Sequence, residues 1–467
     1  MSDKIPRRQK LGSRTEWFFV AKRDVGWIAG SLSITATQLS AATLVGAIGI
    51  HYIFGVSFVL VWFGIWLGWL VSLFYIAPQL RRFGGVTVPE FLGARFRKDG
   101  ADGARIQALA AVLVAVIYLV FTAAQYIAGG VIVETILGVP AIYGMVGIMG
   151  LTLAYTVVGG MRASILTDVI LVLALFAGLL VATWSSLSEL GGVGVLYAEL
   201  QATNPGHLGF AMPVEELLSF AMAFGLSLAV GPYQISRIYA IENEQTVQTS
   251  ILAAIGMQTI VAACILLLGL IAAVSFPELA DPDAAVAELM VSFLGPIASG
   301  LLLVGIIAAV LSTVDSVLLV SSSAIAYDLY AEVLGGGHGS TDVPTDGGTD
   351  ERTLWIARLA TVAAAIIPLG LALSPGLLGE LIQVIAALFG ALIAGTLFAP
   401  VLLGLQWEKA TTKGAVAGIL SGFVTVVIWH LLWTVYDVTP GLLDLVPPTA
   451  AGVFVSGTAV AVVSLYR

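Results

Sequence analysis

The sequence predicts an all-α integral membrane protein with about twelve transmembrane helices. Of its 467 residues, 59% are hydrophobic and only 10% are charged, which is more apolar surface than one soluble core can bury. Apolar stretches of roughly 20 residues also recur along the whole chain, and each is long enough to cross a hydrocarbon core about 30 Å thick. Positive charges fall on one side of these stretches, which predicts the orientation.

Short connections join the predicted spans. The spans are residues 27–50, 56–80, 106–133, 141–159, 165–184, 215–235, 249–275, 297–325, 354–373, 379–405, 414–434 and 447–465. Because no long polar segment separates them, we predict a single membrane transport domain that occupies residues 1–467. The loop at 335–352 is rich in Gly, Asp and Thr, and we expect it to be disordered and cytoplasmic.

The basic residues orient these spans in the membrane. Lys and Arg in short loops stay on the cytoplasmic side. If the basic arm at residues 1–26 is inside, every Lys and Arg falls on that side, including Arg162 and Arg237. The loops of the other side carry acids such as Glu189 and Asp281 and no basic residue. We therefore expect a multi-pass protein of the cell membrane with both termini in the cytoplasm.

The cysteine and histidine content argues against an enzyme. Cys264, the single cysteine, lies inside an apolar span, so neither a disulfide framework nor a thiolate metal cluster can form. His51, His207, His338 and His430 are scattered, and no Ser-His-acid set, metal-ligand spacing or phosphate-binding glycine loop is present. We therefore expect no catalytic residues, no cofactor and no nucleic-acid partner.

Two spans carry interruptions typical of broken transporter helices. The first span contains ITATQLSAATLVG at 34–46, and the sixth contains FGLSLAVGPYQISR at 224–237. Transporters built from inverted repeats often break the first helix of each repeat at mid-membrane to bind solute and ion. Because the two spans are five apart, we predict a five-plus-five inverted repeat, residues 27–184 and 215–405, followed by two appended helices at 414–465.

The eighth span presents a hydroxylated face. Ala309, Ser312, Thr313 and Ser316 recur at i, i+3, i+4 and i+7, which places them on one side of a helix. Neutral hydroxyls and freed backbone carbonyls are suitable ligands for sodium. The alternative is that these hydroxyls only bond carbonyls of their own helix or pack against neighbouring helices.

Six segments, in order, resemble the sodium:solute symporter family of proline, pantothenate and sugar carriers. They are FFVAKRDVGWIAGSLSITATQLSAATLVG at 18–46, TVPEFLGARF at 87–96, YTVVGGMRASILTDV at 155–169, GPYQISRIYA at 231–240, LSTVDSVLLVSSSAIAYDLY at 311–330 and FAPVLLGLQWEKATTKGAVAG at 398–418. The resemblance implies a leucine-transporter-like fold and sodium-coupled symport of a small organic solute by alternating access. A solute-sensing receptor or a channel of the same fold is the alternative.

The resemblance also implies a first sodium site. Its ligands would be the backbone carbonyls of Ala36 and Leu39 in the broken first span, together with the carbonyl of Ala309 and the hydroxyls of Ser312 and Thr313 in the eighth span. Sodium is then the coupling ion, and the solute and the lipid bilayer are the other expected partners. The oligomeric state is not predicted.

A second sodium site is implied by Asp168, Asp315 and Ser316. For Asp168 the alternative is an interfacial ion pair with Arg162. The eighth span has no Lys or Arg within a helical turn of Asp315, and a buried carboxylate is costly unless something neutralises it. We therefore expect a bound sodium ion, or a proton, to supply that charge.

The predicted solute pocket faces the two broken helices. Its candidate residues are Gln38, Thr43, Trp62, Gln125, Phe224, Pro232, Tyr233 and Gln383. Trp62 and Thr43 occupy the positions at which sugar carriers have a pocket acid and amide, which disfavours a sugar. Helix N-termini at the breaks favour a solute carboxylate, so an amino acid, pantothenate or a small carboxylate is favoured. The aromatic members have an alternative role in packing.

Overall fold

The computed structural model describes residues 14–97, 102–334, 347–374, 382–432 and 446–466. Most of the loop predicted to be disordered, and His338 within it, lie outside these residues, as does the start of the basic arm. Within the described ranges the secondary structure is helical.

The helices are numbered here in chain order. The first ten are α1 Arg14–Val20, α2 Trp27–Gln38, α3 Ala47–Phe54, α4 Val59–Val71, α5 Ala77–Phe83, α6 Val88–Arg95, α7 Asp102–Leu137, α8 Ala141–Leu190, α9 Val193–Thr203 and α10 Val214–Val230. The others are α11 Pro232–Ala240, α12 Glu244–Ser275, α13 Ala285–Ser292, α14 Pro296–Ser323, α15 Gly347–Ala372, α16 Ile382–Ile393, α17 Ala399–Gln406, α18 Thr412–His430 and α19 Pro448–Leu465. Turns of π-helix join α4 to α5 and α16 to α17.

Ten segments of the described chain are long and apolar enough to cross a bilayer. Ala42–Phe83 has 42 residues and Ala141–Leu190 has 50, or about 63 and 75 Å at 1.5 Å per residue, which exceeds one crossing. Gly55 ends α3 with a φ of 60°, and Gly160 interrupts α8 with a φ of 55°, a backbone region that favours glycine. Each segment therefore divides into two crossings, which gives the twelve predicted spans.

Both predicted helix breaks are present. The helix α2 ends at Gln38, and Leu39 is extended with φ −75° and ψ 94° before the helix resumes. The helix α10 ends at Val230, and Gly231 has φ −56° and ψ 120° before α11 begins at Pro232. Proline suits this first helical position because it lacks an N–H group that would have no intrahelical partner.

One helix, α7, caps both breaks. The Gln125 side-chain oxygen accepts a hydrogen bond from the Ala41 N–H at 3.1 Å, at the start of the second half of the first span. The Tyr118 hydroxyl accepts one from the Tyr233 N–H at 3.0 Å, at the start of α11. The two residues are seven apart and share a helix face, so this face of α7 fixes both breaks.

The chain entering the first span is bound to the ends of the second and sixth spans. Arg23 donates to the carbonyls of Gly85 and Tyr239 at 3.1 and 3.3 Å. Arg81 donates to the carbonyl of Ile241 and, at 2.7 Å, to that of Glu242. We call the region formed by Arg23, Arg81 and their carbonyl partners the basic end of the bundle. The described part of the predicted arm is therefore bound to the helices.

Candidate sodium and solute sites

The Ser312 hydroxyl joins the break in the first span to the eighth span. It lies 3.0 Å from the Ala36 carbonyl oxygen of α2 and 3.1 Å from the Ala309 carbonyl oxygen of α14. All three residues are buried. Three of the five predicted ligands of the first sodium site therefore lie together.

The remaining two predicted ligands lie next to this group. The Thr313 hydroxyl is 3.4 Å from the Thr37 carbonyl oxygen, and Leu39 is the residue at which α2 ends. Thr37 was not among the predicted ligands. The site consists of neutral hydroxyl and carbonyl oxygens, which are ligands that a hard monovalent cation accepts. The assignment of these residues as sodium ligands stays a prediction.

The residues of the predicted second sodium site surround Arg237. This arginine of α11 is only 1% exposed. Its Nη2 donates to Ser316 Oγ at 2.6 Å and to Asp168 Oδ2 at 3.2 Å, and lies 4.0 Å from Asp315 Oδ2. The protein therefore supplies one cation beside the two carboxylates, which was not expected from the sequence, while Asp168 Oδ1 and Asp315 Oδ2 accept no hydrogen bond within the described chain. The assignment of Asp168, Asp315 and Ser316 to a second sodium site stays a prediction.

Hydroxyl groups hold both carboxylates in place. Ser33 of α2 donates to Asp168 Oδ2 at 2.6 Å, and Thr156 of α8 donates to Asp315 Oδ1 at 2.6 Å. Arg162, the alternative partner for Asp168, is exposed. Asp168 pairs with Arg237 instead.

The sequence-based orientation counts Arg237 among the basic residues of the cytoplasmic side, and the structure corrects this, because its side chain is buried inside the bundle. Its place in the sequence could have indicated this. Arg237 follows Pro232, which starts the second half of a helix broken at mid-membrane, by only five residues. Five residues of α-helix rise about 7.5 Å, whereas half of the hydrocarbon core is about 15 Å. The side chain therefore starts inside the membrane, where an arginine needs an anionic partner.

A cavity of about 50 Å³ lies between the two breaks. Six of the eight predicted pocket residues line it, namely Gln38, Thr43, Trp62, Phe224, Tyr233 and Gln383. The wall also includes residues that were not predicted, namely Ser40, Ala42, Ala47, Phe58, Ile65, Phe121, Ser227, Leu228, Ala386 and Phe389. Gln125 is instead the cap of Ala41, and Pro232 borders a different small cavity toward the basic end.

The cavity wall is aromatic and uncharged. Phe121 and Phe389 stack with ring centroids 3.9 Å apart, and no Asp, Glu, Lys or Arg is among the described lining residues. The Trp62 N–H and the Gln383 side-chain oxygen are buried and have no hydrogen-bond partner within the described chain. A buried donor and a buried acceptor are therefore available to a solute. The Gln38 oxygen is already bound by the Trp69 N–H at 2.9 Å.

A second cavity of about 470 Å³ lies at the end of the bundle opposite the basic end. It is bordered by the end of α3 at Phe54, the start of α10 at Glu216, and the facing ends of α18 and α19 at His430 and Pro448. The helices α10 and α16 also contribute to the wall of the smaller cavity, so both cavities lie along the same helices.

Comparison with known proteins identifies relatives along most of the chain. The model of the sodium:solute symporter family matches residues 18–422. The high-affinity proline transporter PutP of Bacillus subtilis (strain 168) is 28% identical over 440 residues, which cover 91% of this chain and 89% of the relative. A sodium/glucose cotransporter of Vibrio parahaemolyticus is 28% identical over 452 residues, covering 89% and 79%.

Solved structures confirm the fold class. A sodium-coupled sialic acid symporter in a substrate-bound, outward-open state has a TM-score of 0.79 at 18% identity, covering 97% of this chain and 93% of that chain. MhsT in complex with L-phenylalanine has a TM-score of 0.59 at 14% identity, covering 95% and 99%. The fold is therefore leucine-transporter-like. The chain belongs to the sodium:solute symporter family and is a multi-pass membrane transporter that couples a small organic solute to sodium, not an enzyme.

Proposed function

We propose that the transported solute is a small zwitterionic amino acid such as proline. The main support for this proposal is the cavity between the helix breaks. There the unpaired Trp62 N–H can donate a hydrogen bond to a carboxylate, and the Gln383 oxygen can accept one from an ammonium or iminium group. Its uncharged aromatic wall suits a solute that carries both charges itself. The proline relative agrees with this solute, and the absence of a pocket carboxylate among the described lining residues disfavours a polyol such as glucose.

The hydrogen bonds at the breaks change how a carboxylate would be recognised. Gln125 and Tyr118 already accept from the Ala41 and Tyr233 N–H groups. Helix N-termini were expected to bind the solute carboxylate directly, but these two N–H groups are occupied. Trp62 is therefore the proposed carboxylate donor.

The proposed sodium site explains coupling in structural terms. Its oxygens come from Ala36 and Leu39 in the first span and from Ala309, Ser312 and Thr313 in the eighth span. An ion held by both helices stabilises the arrangement in which they are adjacent, and it can shift the conformational equilibrium by its differential affinity. Because the same break borders the solute cavity, ion and solute favour one arrangement together.

The proposed membrane orientation places the basic end in the cytoplasm, with both termini on that side of the cell membrane. The basic residues support this orientation. We also propose that residues 27–184 and 215–405 are the two inverted repeats, since each begins with one of the two broken helices.

Uptake by the purified protein in proteoliposomes tests the proposal. Labelled proline, pantothenate, acetate, lactate, urea and glucose are compared with and without an inward sodium gradient. We expect saturable, electrogenic proline uptake that needs sodium, and no accumulation of glucose. Proline uptake that does not depend on sodium, or accumulation of glucose but not of proline, would contradict the proposal. Flux that does not saturate with solute concentration would indicate a channel.

A further inference from the structure

Two tryptophans of α4 are related to the solute cavity in different ways. Trp62 lines the cavity with an indole N–H that has no partner within the described chain. Trp69 follows seven residues later, which places it on the same side of the helix. It is fully buried and is not among the residues that line the cavity. Trp69 can therefore affect a bound solute only through a residue that does border the cavity.

Trp69 determines which end of the Gln38 side-chain amide faces the solute. Its indole nitrogen lies 2.9 Å from Gln38 Oε1. An indole N–H can only donate, so the amide atom at this distance must be the oxygen and not the nitrogen. Gln38 borders the cavity, and its Nε2 makes no hydrogen bond within the described chain. The two N–H donors of Gln38 are therefore left for a solute.

A second amide anchors the indole from the side of α12. The Trp69 N–H is shared with Gln258 Oε1 of that helix, at 3.1 Å. Gln258 does not line the cavity, and its side-chain nitrogen is buried and unpaired within the described chain. Gln258 is therefore an acceptor for Trp69 and not a solute ligand. It also leaves Trp69 with an acceptor when Gln38 is replaced.

We propose that Trp69 is a positioning residue that makes the cavity select a solute carboxylate over a primary amide. By accepting from the indole, the Gln38 oxygen is turned away from the solute, and only N–H groups are presented. A carboxylate accepts from them, whereas the NH₂ of a primary amide would meet a donor. This selectivity rests on the amino-acid solute proposed above, and it depends on a residue that does not touch the solute.

The alternative is that Trp69 only fills space between helices. Without the indole N–H, the Gln38 amide can rotate and present its oxygen, because its two ends have nearly the same size and shape. Loss of packing would weaken every solute alike, whereas loss of positioning changes the ratio between a carboxylate and an amide. The two roles therefore differ in a measurable ratio.

Competition between proline and prolinamide tests the proposal. Prolinamide keeps the ring and the cationic nitrogen of proline but has a primary amide in place of the carboxylate. The half-saturation constant of labelled proline and the inhibition constant of prolinamide are measured in proteoliposomes with an inward sodium gradient. In the wild type, proline should bind at least about tenfold more tightly than prolinamide.

In Trp69→Phe we expect the proline constant to rise about fivefold and the prolinamide constant to stay within about twofold, as for one lost hydrogen bond to a charged group. Trp66→Phe is the matched control, since it removes an indole N–H of the same helix outside the cavity lining, and it should keep the wild-type ratio. Equal increases in both constants, or an unchanged ratio, would overturn the proposal. If the wild type takes up no proline with sodium, the proposed function itself fails.

Gln38→Leu decides the case if Trp69→Phe does not fold. It removes the amide, while Trp69 keeps Gln258 as an acceptor, and selectivity for proline should fall about as far as expected for Trp69→Phe. A folded Gln38→Leu protein that keeps the wild-type selectivity would overturn the proposal. Where both variants fold, adding Trp69→Phe to Gln38→Leu should lower the ratio by less than about twofold more, because the two residues act through one contact. Effects that multiply would show that Trp69 does not act through Gln38.

Discussion

Hydroxyl groups of the eighth span differ in the helix to which they donate. Ser312 reaches the Ala36 carbonyl of another helix, whereas Ser322 bonds only the Leu319 carbonyl of its own helix, at 3.0 Å. Both are buried. The packing alternative considered for membrane hydroxyls describes both residues, since Ser312 also bonds the Ala309 carbonyl of its own helix. Only Ser312 belongs to the proposed sodium site, which makes the pair a matched test.

We predict that Ser312→Ala raises the half-saturating sodium concentration about tenfold, which corresponds to about 1.4 kcal/mol of lost ion binding. The reason is that a ligand oxygen is removed from a site with few others. Ser322→Ala should change this constant less than twofold. Sodium titration of uptake measures both, and equal effects of the two substitutions would show that the hydroxyls only pack.

The indole of Trp62 gives a second residue-scale prediction. Trp62→Phe keeps an aromatic ring and removes the N–H that has no partner within the described chain. We expect the solute half-saturation constant to rise about tenfold, as for one lost hydrogen bond to a charged group, with little change in the sodium constant. Trp66→Phe is the control, because its N–H is likewise unpaired but lies outside the cavity lining. A larger effect at Trp66 would remove Trp62 from the pocket.

At the scale of helices, a loop acid connects α13 to the tenth span. Asp283 precedes α13, is 4% exposed, and accepts a hydrogen bond from the Ile382 N–H of α16 at 2.9 Å. Burial, with a smaller effect of Asp281, raises the pKa of Asp283 from 3.8 to about 6. Because the folded state holds this proton more tightly than the unfolded state does, stability falls as pH rises through this range.

We predict that Asp283→Asn removes this pH dependence. Relative to the variant, the wild-type protein should lose about 2 kcal/mol of unfolding free energy between pH 4 and pH 7, from a shift of about two pKa units. The amide oxygen of Asn can still accept from Ile382. Thermal melting in detergent across this pH range measures the difference, with the exposed Glu278→Gln as control. Parallel pH profiles of the wild type and Asp283→Asn would contradict the assignment.

Helix breaks and long-range contacts between helices differ in how far the sequence predicts them. Span lengths and the breaks near Leu39 and Gly231 depend on local composition, so they could be predicted. The partners of Arg237 lie 69 and 79 residues away in Asp168 and Ser316, and only the packing of four helices brings them together. Pocket residues such as Phe389 were missed for the same reason, since an aromatic residue in a span has no local sign of facing a cavity.

At the scale of the whole molecule, the two ends of the bundle differ. The large cavity lies at the end opposite the basic end. The basic end is closed by backbone hydrogen bonds, in which Val25 N–H donates to Ala240 O at 3.3 Å and Glu242 N–H donates to Val25 O at 3.1 Å. With the proposed orientation, the protein is closed to the cytoplasm and alternating access requires these bonds to break.

Arg81 and its neighbour Arg82 contribute differently to this closure. Arg81 donates to the carbonyls of Ile241 and Glu242 at the end of the sixth span. Arg82 forms an ion pair with Glu244 in which the side chains are 32% and 37% exposed. Exposed ion pairs contribute little, typically about 0 to 1 kcal/mol, whereas the loss of Arg81 leaves the carbonyl of Ile241, in a partly buried contact, without its charged donor, together with the exposed carbonyl of Glu242.

We therefore predict that Arg81→Ala shifts the protein toward a state open to the cytoplasm and that Arg82→Ala does so much less. The reporter is Ser236→Cys on α11, a position that is 8% exposed, in a Cys264→Ser background that removes the single native cysteine. A membrane-impermeant thiol reagent applied to the basic end should modify it several-fold faster in Arg81→Ala, and sodium with solute should alter that rate. Equal rates in both arginine variants would show that the backbone bonds of Val25 hold the closed state without Arg81.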